Sequence, residues 1–120
     1  MKVHAQYDAG APFDGNVVFG MASAYTLVQA LQAAGKNLTR QDLVNAVNNF
    51  GASWKGPGLV PYRYSKTDHG GYAGVQMGQV RSGKIVLSGQ PMTSTPAAGS
   101  PITPYTGGQP APPSSGIPTS

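Results

Sequence analysis

Cysteine is absent from this sequence of 120 residues, and so is glutamate. Without cysteine there is no disulfide framework, no thiolate zinc site and no cysteine nucleophile. Charged residues are scarce at 10%, and the formal net charge is only +4. No two basic residues are adjacent in the sequence, whereas nucleic-acid binders concentrate basic charge on one face or in one run. We therefore expect no nucleic-acid partner.

Long apolar runs are also lacking. The opening residues 1–4 do not carry the apolar stretch of a signal peptide, and no segment approaches the roughly 20 apolar residues of a membrane-spanning helix. The chain as written is expected to have neither an export signal nor a membrane anchor. Glycine and proline, by contrast, are abundant, with 17 and 11 copies.

The first predicted helix follows a lead-in over residues 1–13. Asp14 is placed to cap the helix, and Gly35 is placed to end it. Between them, apolar residues recur at steps of three and four, which is the pattern of one helical face: Val18, Met21, Tyr25, Val28 and Leu31. No charged residue occurs from 15 to 35. We expect this helix to be buried on more than one side, which a unit of about 90 residues can hardly provide.

The second predicted helix covers residues 40–49. Thr39 is its N-cap, and Asp42 three residues later completes a capping box in which aspartate replaces glutamate. Gly51 is predicted as the glycine that ends this helix.

The rest of the chain divides into a loop, a hairpin and a tail. Residues 51–71 read as a long irregular loop. A strand over 72–80, a turn at 81–83 and a return strand over 84–87 read as a β-hairpin. Residues 92–120 contain Pro, Ser, Thr and Gly without charge and are predicted to be a disordered tail. We accordingly predict a structured unit over 1–91 and a tail over 92–120.

Three stretches within about residues 13–88 carry a resemblance by their order and spacing. They are NVVFG at 16–20 with AYTLVQALQAAG at 24–35, KNLTRQDL at 36–43, and SKTDHGG at 65–71 with Gln76 and Gly83-Lys84. This series resembles the C-terminal part of type I periplasmic (extracytoplasmic) solute-binding proteins, in the branched-chain amino-acid (Leu/Ile/Val-binding) group.

The resemblance implies an α/β fold: part of one lobe of a two-lobed body, here two helices, a long loop and a hairpin. It implies a non-catalytic role in ABC-transporter uptake of an amino acid or amide, with a small solute and an ABC permease as partners. It implies a periplasmic or cell-surface location. The family's ligand-contacting residues lie in its earlier two thirds, so no ligand-binding residue is assigned here, and the Pro-rich tail departs from the family pattern.

The polar residues offer few candidates for chemistry. Asp68-His69 could form a hydrolytic dyad with Ser65, or a metal site with His4, but adjacent residues of an extended segment point opposite ways. We interpret His69 as a structural residue of the loop and assign no catalytic residue, metal or cofactor. Gly56-Pro57-Gly58 lacks the Lys-Ser/Thr of a phosphate-binding loop.

The aromatic residues of the loop and the prolines of the tail each leave two interpretations. Trp54, Tyr62, Tyr64 and Tyr72 either form an aromatic ligand wall or, as we favour, pack on one another. The segments 101–104 and 110–113 match the PxxP pattern of SH3-type ligands, but no basic residue flanks them. We therefore favour a solvated tail over a binding motif.

Three hypotheses about the function remain open at this stage. The chain is expected to be a segment of a solute-binding protein rather than an enzyme. The alternative is a small self-associating α+β interaction module, a homo-dimer through the apolar helix 15–34. A small hydrolase built around His69 is the third hypothesis.

Overall fold

The computed structural model describes residues 2–54, 56, 58–95 and 97–108. Its helices are α1 (Lys2–Tyr7), α2 (Gly15–Ala34) and α3 (Arg40–Phe50), the last followed by a 3₁₀ turn at Gly51–Ser53. Its strands are β1 (Gly74–Val75), β2 (Gly78–Arg81), β3 (Lys84–Leu87), β4 (Met92–Thr93) and β5 (Thr103–Pro104). The fold is therefore a mixture of helices and small antiparallel sheets.

Both long helices begin where the capping residues predict. The Asp14 carboxylate accepts the amide hydrogens of Asn16 and Val17 at 2.9 and 3.0 Å, which satisfies two of the free donors of the first turn. At α3 the Thr39 hydroxyl accepts the Asp42 amide at 3.1 Å, and the Asp42 carboxylate accepts the Thr39 amide at 3.3 Å. The capping box is confirmed.

Helix α1 was not predicted. It lies within the segment that we read as a lead-in, and it is only six residues long. Its His4 ring meets the ring of Phe13 edge-on, with centroids 5.1 Å apart. A contact between residues nine positions apart depends on how the intervening turn folds, so it leaves no periodic signal in the sequence.

The buried core is small and lies where α2, α3 and the loop meet. Its hydrophobic members are Tyr25, Ala30, Ala46, Trp54 and Val60. Within α2 only Tyr25 and Ala30 are buried, so the prediction of burial on more than one side is wrong. Among the described elements only α3 makes an extensive contact with α2, which leaves much of the helix surface in solvent.

Helix α2 is also long and apolar enough to cross a membrane by length and composition, although we expected no such stretch. Length and composition alone do not distinguish a membrane span from a core helix of a soluble protein.

Strands β1, β4 and β5 form one antiparallel sheet, in the order β1-β4-β5. The predicted boundary after residue 91 falls inside this sheet, and the predicted disorder of the tail is wrong for β4 and β5. Thr103 precedes a proline, which favours the extended conformation, and Pro104 lies on the edge strand, where its missing amide hydrogen is tolerated. Residues 96 and 109–120 of the predicted tail lie outside the described residues.

Strands β2 and β3 form the predicted hairpin, but as a sheet of their own. The single strand predicted over 72–80 is divided into β1 and β2, which belong to different sheets. Ser82 and Gly83 make the turn with φ of 50° and 74°, the left-handed region that a two-residue hairpin loop requires. All eight residues of the hairpin strands are exposed, as are Val75 and Met77.

Candidate functional site

The loop between α3 and β1 is organised by a column of stacked rings. Tyr62 and Tyr64 are two residues apart on an extended segment and therefore point to the same side. Trp54 stacks on Tyr62 with centroids 5.8 Å apart, Tyr62 on Tyr64 at 6.3 Å, and Tyr64 on His69 at 4.7 Å. We refer to Trp54, Tyr62, Tyr64 and His69 as the aromatic column.

Tyr72 closes the column from the side. Its ring meets Tyr62 edge-on, with centroids 5.0 Å apart, and its hydroxyl lies 3.0 Å from the hydroxyl of Thr26. Because the Thr26 hydroxyl already donates to the carbonyl of Ala22 at 3.0 Å, the Tyr72 hydroxyl is the donor. This bond joins the loop to α2.

The ring faces of the column are therefore occupied largely by one another. Trp54 is buried, and the tyrosines are half-buried. Burial raises the pKa of Tyr62 above its ordinary value of 10.0, and the neighbouring Tyr64 and Tyr72 raise it further. This arrangement agrees with the packing interpretation of the aromatic residues.

Arg63 lies between the two stacked tyrosines in sequence and connects three parts of the chain. Its amide donates to the carbonyl of Gly71 at 2.9 Å, and its carbonyl accepts the Gly71 amide at 2.6 Å. Its guanidinium pairs with the Asp68 carboxylate, Nε to Oδ2, at 3.3 Å, and Nη2 donates to the carbonyl of Ser94. Sequence reasoning missed this role, for which the only available signal was one Arg and one Asp in a loop of few charges.

The proposed hydrolytic set does not assemble. The Ser65 hydroxyl accepts the Asp68 amide at 3.1 Å, and the Asp68 carboxylate accepts the Gly70 amide at 2.8 Å. His69 instead stacks on Tyr64, and within the described part of the chain no hydrogen bond joins it to Ser65 or Asp68. Among the residues that the structure describes, Ser65, Asp68 and His69 therefore do not form the chain of hydrogen bonds that a serine triad requires.

The remaining candidates are likewise apart. His4 contacts Phe13 in the N-terminal segment, and the described residues contain no group of three or more His, Cys, Asp or Glu able to hold a metal ion. Gly56 and Gly58 lie against the ring of Tyr72, where a side chain would clash, so these glycines make room for a ring. Pro57 and residues 110–113 lie outside the described residues.

Two of the shallow grooves beside the aromatic column extend along the helices. The first, of about 370 Å³, lies between α2, α3 and the rings of Trp54, Tyr62 and Tyr72. The second, of about 540 Å³, runs over the exposed side of α3 beside Tyr64, Lys66 and His69. Both are lined mainly by apolar side chains, so they are suited to covering by another apolar surface more than to polar chemistry.

Comparison with known proteins adds no relative. No protein-family model matches the chain, and no curated protein and no solved structure matches it either.

Proposed function

We propose that this chain is a non-catalytic segment of the substrate-binding protein of an ABC transporter, of the branched-chain amino-acid type. Its function would be extracytoplasmic uptake of an amino acid or amide, with the ligand-contacting part and the permease-binding body supplied by the remainder of a two-lobed α/β protein. The series of motifs over residues 13–88 supports this assignment.

The observation that carries the proposal is the β2–β3 hairpin. Its strands pair only with each other among the described residues, and Val80 and Ile85 are 77% and 74% exposed. A two-stranded hairpin is at best marginally stable in water. Further strands, or a packed helix, are needed to cover it, and the rest of an α/β lobe would supply them.

The polar residues of the loop support a non-catalytic role. Asp68 is engaged by Arg63 and by the Gly70 amide, and His69 is stacked on Tyr64. These contacts hold the loop together, and among the described residues neither side chain is hydrogen-bonded to the Ser65 hydroxyl as a base.

The first experiment is a calorimetric titration of the 120-residue chain with leucine, isoleucine, valine and acetamide. No binding is expected, because the proposal places the ligand-contacting residues outside this chain. Circular dichroism on the same sample verifies that the helices are formed. Micromolar binding of any of the four ligands would contradict the proposal.

The second experiment reads the genomic sequence upstream of Met1 and uses it to build the longer protein. An in-frame continuation that encodes further α/β sequence is expected, and a stop codon directly upstream would count against the proposal. In the longer protein, Ile85→Asp should lower the free energy of unfolding by about 2–4 kcal/mol, because the side chain is buried there. In the present chain the same change should have an effect within about 0.5 kcal/mol. Gln79→Asp, on an exposed polar residue of the same hairpin, is the matched control.

A further inference from the structure

The outer side of α2 carries an apolar seam with the spacing of a coiled coil. Steps of three and four alternate without interruption along it, which is the a/d pattern of helix-to-helix packing. The seam consists of Val17, Gly20, Ala24, Leu27, Leu31 and Ala34. It lies away from Tyr25, which together with Ala30 is buried in the core.

The seam is accessible to another helix. Leu27 and Leu31 are 53% and 38% exposed, Gly20 and Ala24 are exposed, and Val17 and Ala34 are partly so. A Cβ atom built at Gly20 meets nothing within 4 Å. Leu27 also borders the groove between α2 and α3, so the described residues cover the strip in part and leave the rest of it in solvent.

The sizes of the seam residues are matched to a second, antiparallel copy. When two copies of α2 pair about a midpoint between Tyr25 and Thr26, Leu27 faces the partner's Ala24 and Leu31 faces the partner's Gly20. Val17 then faces the partner's Ala34. Every layer contains one large and one small residue, which is how facing positions interdigitate without voids. A parallel pair would set Leu27 against the partner's Leu27 and leave gaps at the glycine and alanine layers.

The distribution of charge also favours the antiparallel arrangement of the two α2 helices. No charged residue occurs between Asp14 and Lys36, so the contact desolvates no ion. Antiparallel pairing brings Asp14 to the end of the helix where the partner's Lys36 lies, and it opposes the two helix dipoles. Parallel pairing would place Asp14 beside the partner's Asp14, which is unfavourable.

We propose that this protein forms a two-fold symmetric dimer in which the α2 helices pair antiparallel through this seam. This proposal does not depend on the proposed relation to solute-binding proteins, because it concerns a surface of α2 and that function is argued from the β2–β3 hairpin. A helix of 20 residues is about 30 Å long, so the strip buries less than the roughly 800 Å² per partner of a standard interface. The dimer is therefore weak and reversible.

The central experiment is sedimentation equilibrium of the full chain with a size-swap series. Ala24→Leu puts two leucines in one layer and should weaken the dimer by at least about tenfold, because overpacked layers are strained. Leu27→Ala should weaken it similarly by leaving a void. The double variant A24L/L27A restores one large and one small residue per layer and should recover the affinity to within about threefold. Ala33→Leu, the same change at an exposed position off the seam, is the matched control and should leave the affinity unchanged.

Orientation is tested by disulfide trapping, which the absence of native cysteine makes specific. Val17→Cys and Ala34→Cys lie at opposite ends of the seam. A mixture of the two variants should form the heterodisulfide faster than either forms its homodisulfide, since antiparallel copies bring these two positions together.

Three results would overturn the proposal. The first is a chain that stays monomeric up to about 1 mM, a concentration at which even small interfaces associate. The second is a double variant that dimerises no better than its parents, or homodisulfides that form preferentially. The third is a monomer that co-sediments with phosphatidylcholine vesicles, because lipid would then cover the seam.

Discussion

At the residue scale, Gly51 lies at the end of α3 as predicted, but the physical reason that the position requires glycine differs from the predicted one. We predicted Gly51 as the glycine that ends α3, a position that commonly has a left-handed conformation. Its φ is −53°, an ordinary helical value, and the chain continues into the 3₁₀ turn. What requires glycine is space, because a Cβ atom at this position would lie 2.9 Å from the Cβ of Tyr64.

Gly51→Ala should therefore lower the free energy of unfolding by about 1–3 kcal/mol, the cost of overpacking a close contact. Urea denaturation measures this change. Gly15→Ala is the matched control, since an added Cβ there meets nothing within 4 Å and the stability should fall little or not at all. Equal effects of the two substitutions would contradict the close approach of Tyr64.

Tyr62 is one of the residues that couple the stability of the protein to alkaline pH. Burial, followed by the neighbouring Tyr64 and Tyr72, raises its pKa in the folded chain. A pKa that is higher folded than unfolded means that the folded state holds the proton more tightly. The resulting stability is complete below the unfolded value of about 10 and is lost as pH rises through the higher folded value.

The free energy of unfolding should thus decline above about pH 10, in step with the appearance of tyrosinate absorbance. In Tyr62→Phe this decline should be smaller, with the remainder arising in part from Tyr25, whose pKa burial also raises. A Tyr62→Phe variant that keeps the full decline would show that Tyr62 does not couple folding to pH.

At the scale of elements, α3 is specified locally. Its start is a reciprocal pair of hydrogen bonds between Thr39 and Asp42, and the two side chains also contact each other, with the Thr39 hydroxyl 2.6 Å from the carboxylate of Asp42. All of these atoms lie within four residues, so the sequence pattern was sufficient to predict them.

Removing the cap tests that local control. Thr39→Ala should cost about 1 kcal/mol of stability, measured as a shift in the urea midpoint, whereas Thr39→Ser keeps the hydroxyl and should recover most of the loss. Thr106→Ala provides a threonine control on an exposed residue. If Thr39→Ala behaves like that control, the capping box does not stabilise the fold.

At the scale of the whole molecule, stability is unevenly distributed. The core joins α2, α3 and the loop, while the β2–β3 hairpin is exposed along its whole length. Regions with few buried apolar contacts open with the lowest free energy. The hairpin should accordingly be the part of the isolated chain that opens most readily, and the part that a bound partner stabilises first.

Hydrogen exchange measures this directly. Amide protons of β2 and β3 should exchange at least about tenfold faster than those in the middle of α3, because a hairpin without a covering surface opens locally. Protection of the hairpin equal to that of α3 would contradict its lack of support.

The sequence by itself determined the parts whose causes are local. The caps at Asp14 and Thr39, the two long helices and the turn at Ser82-Gly83 each depend on residues a few positions apart. The tertiary structure alone decided the remainder: that residues 92–93 and 103–104 add strands to β1, that Arg63 joins Gly71, Asp68 and Ser94, and that α2 keeps one side open. These depend on distant segments meeting in space, and no periodicity in the chain records which segments meet.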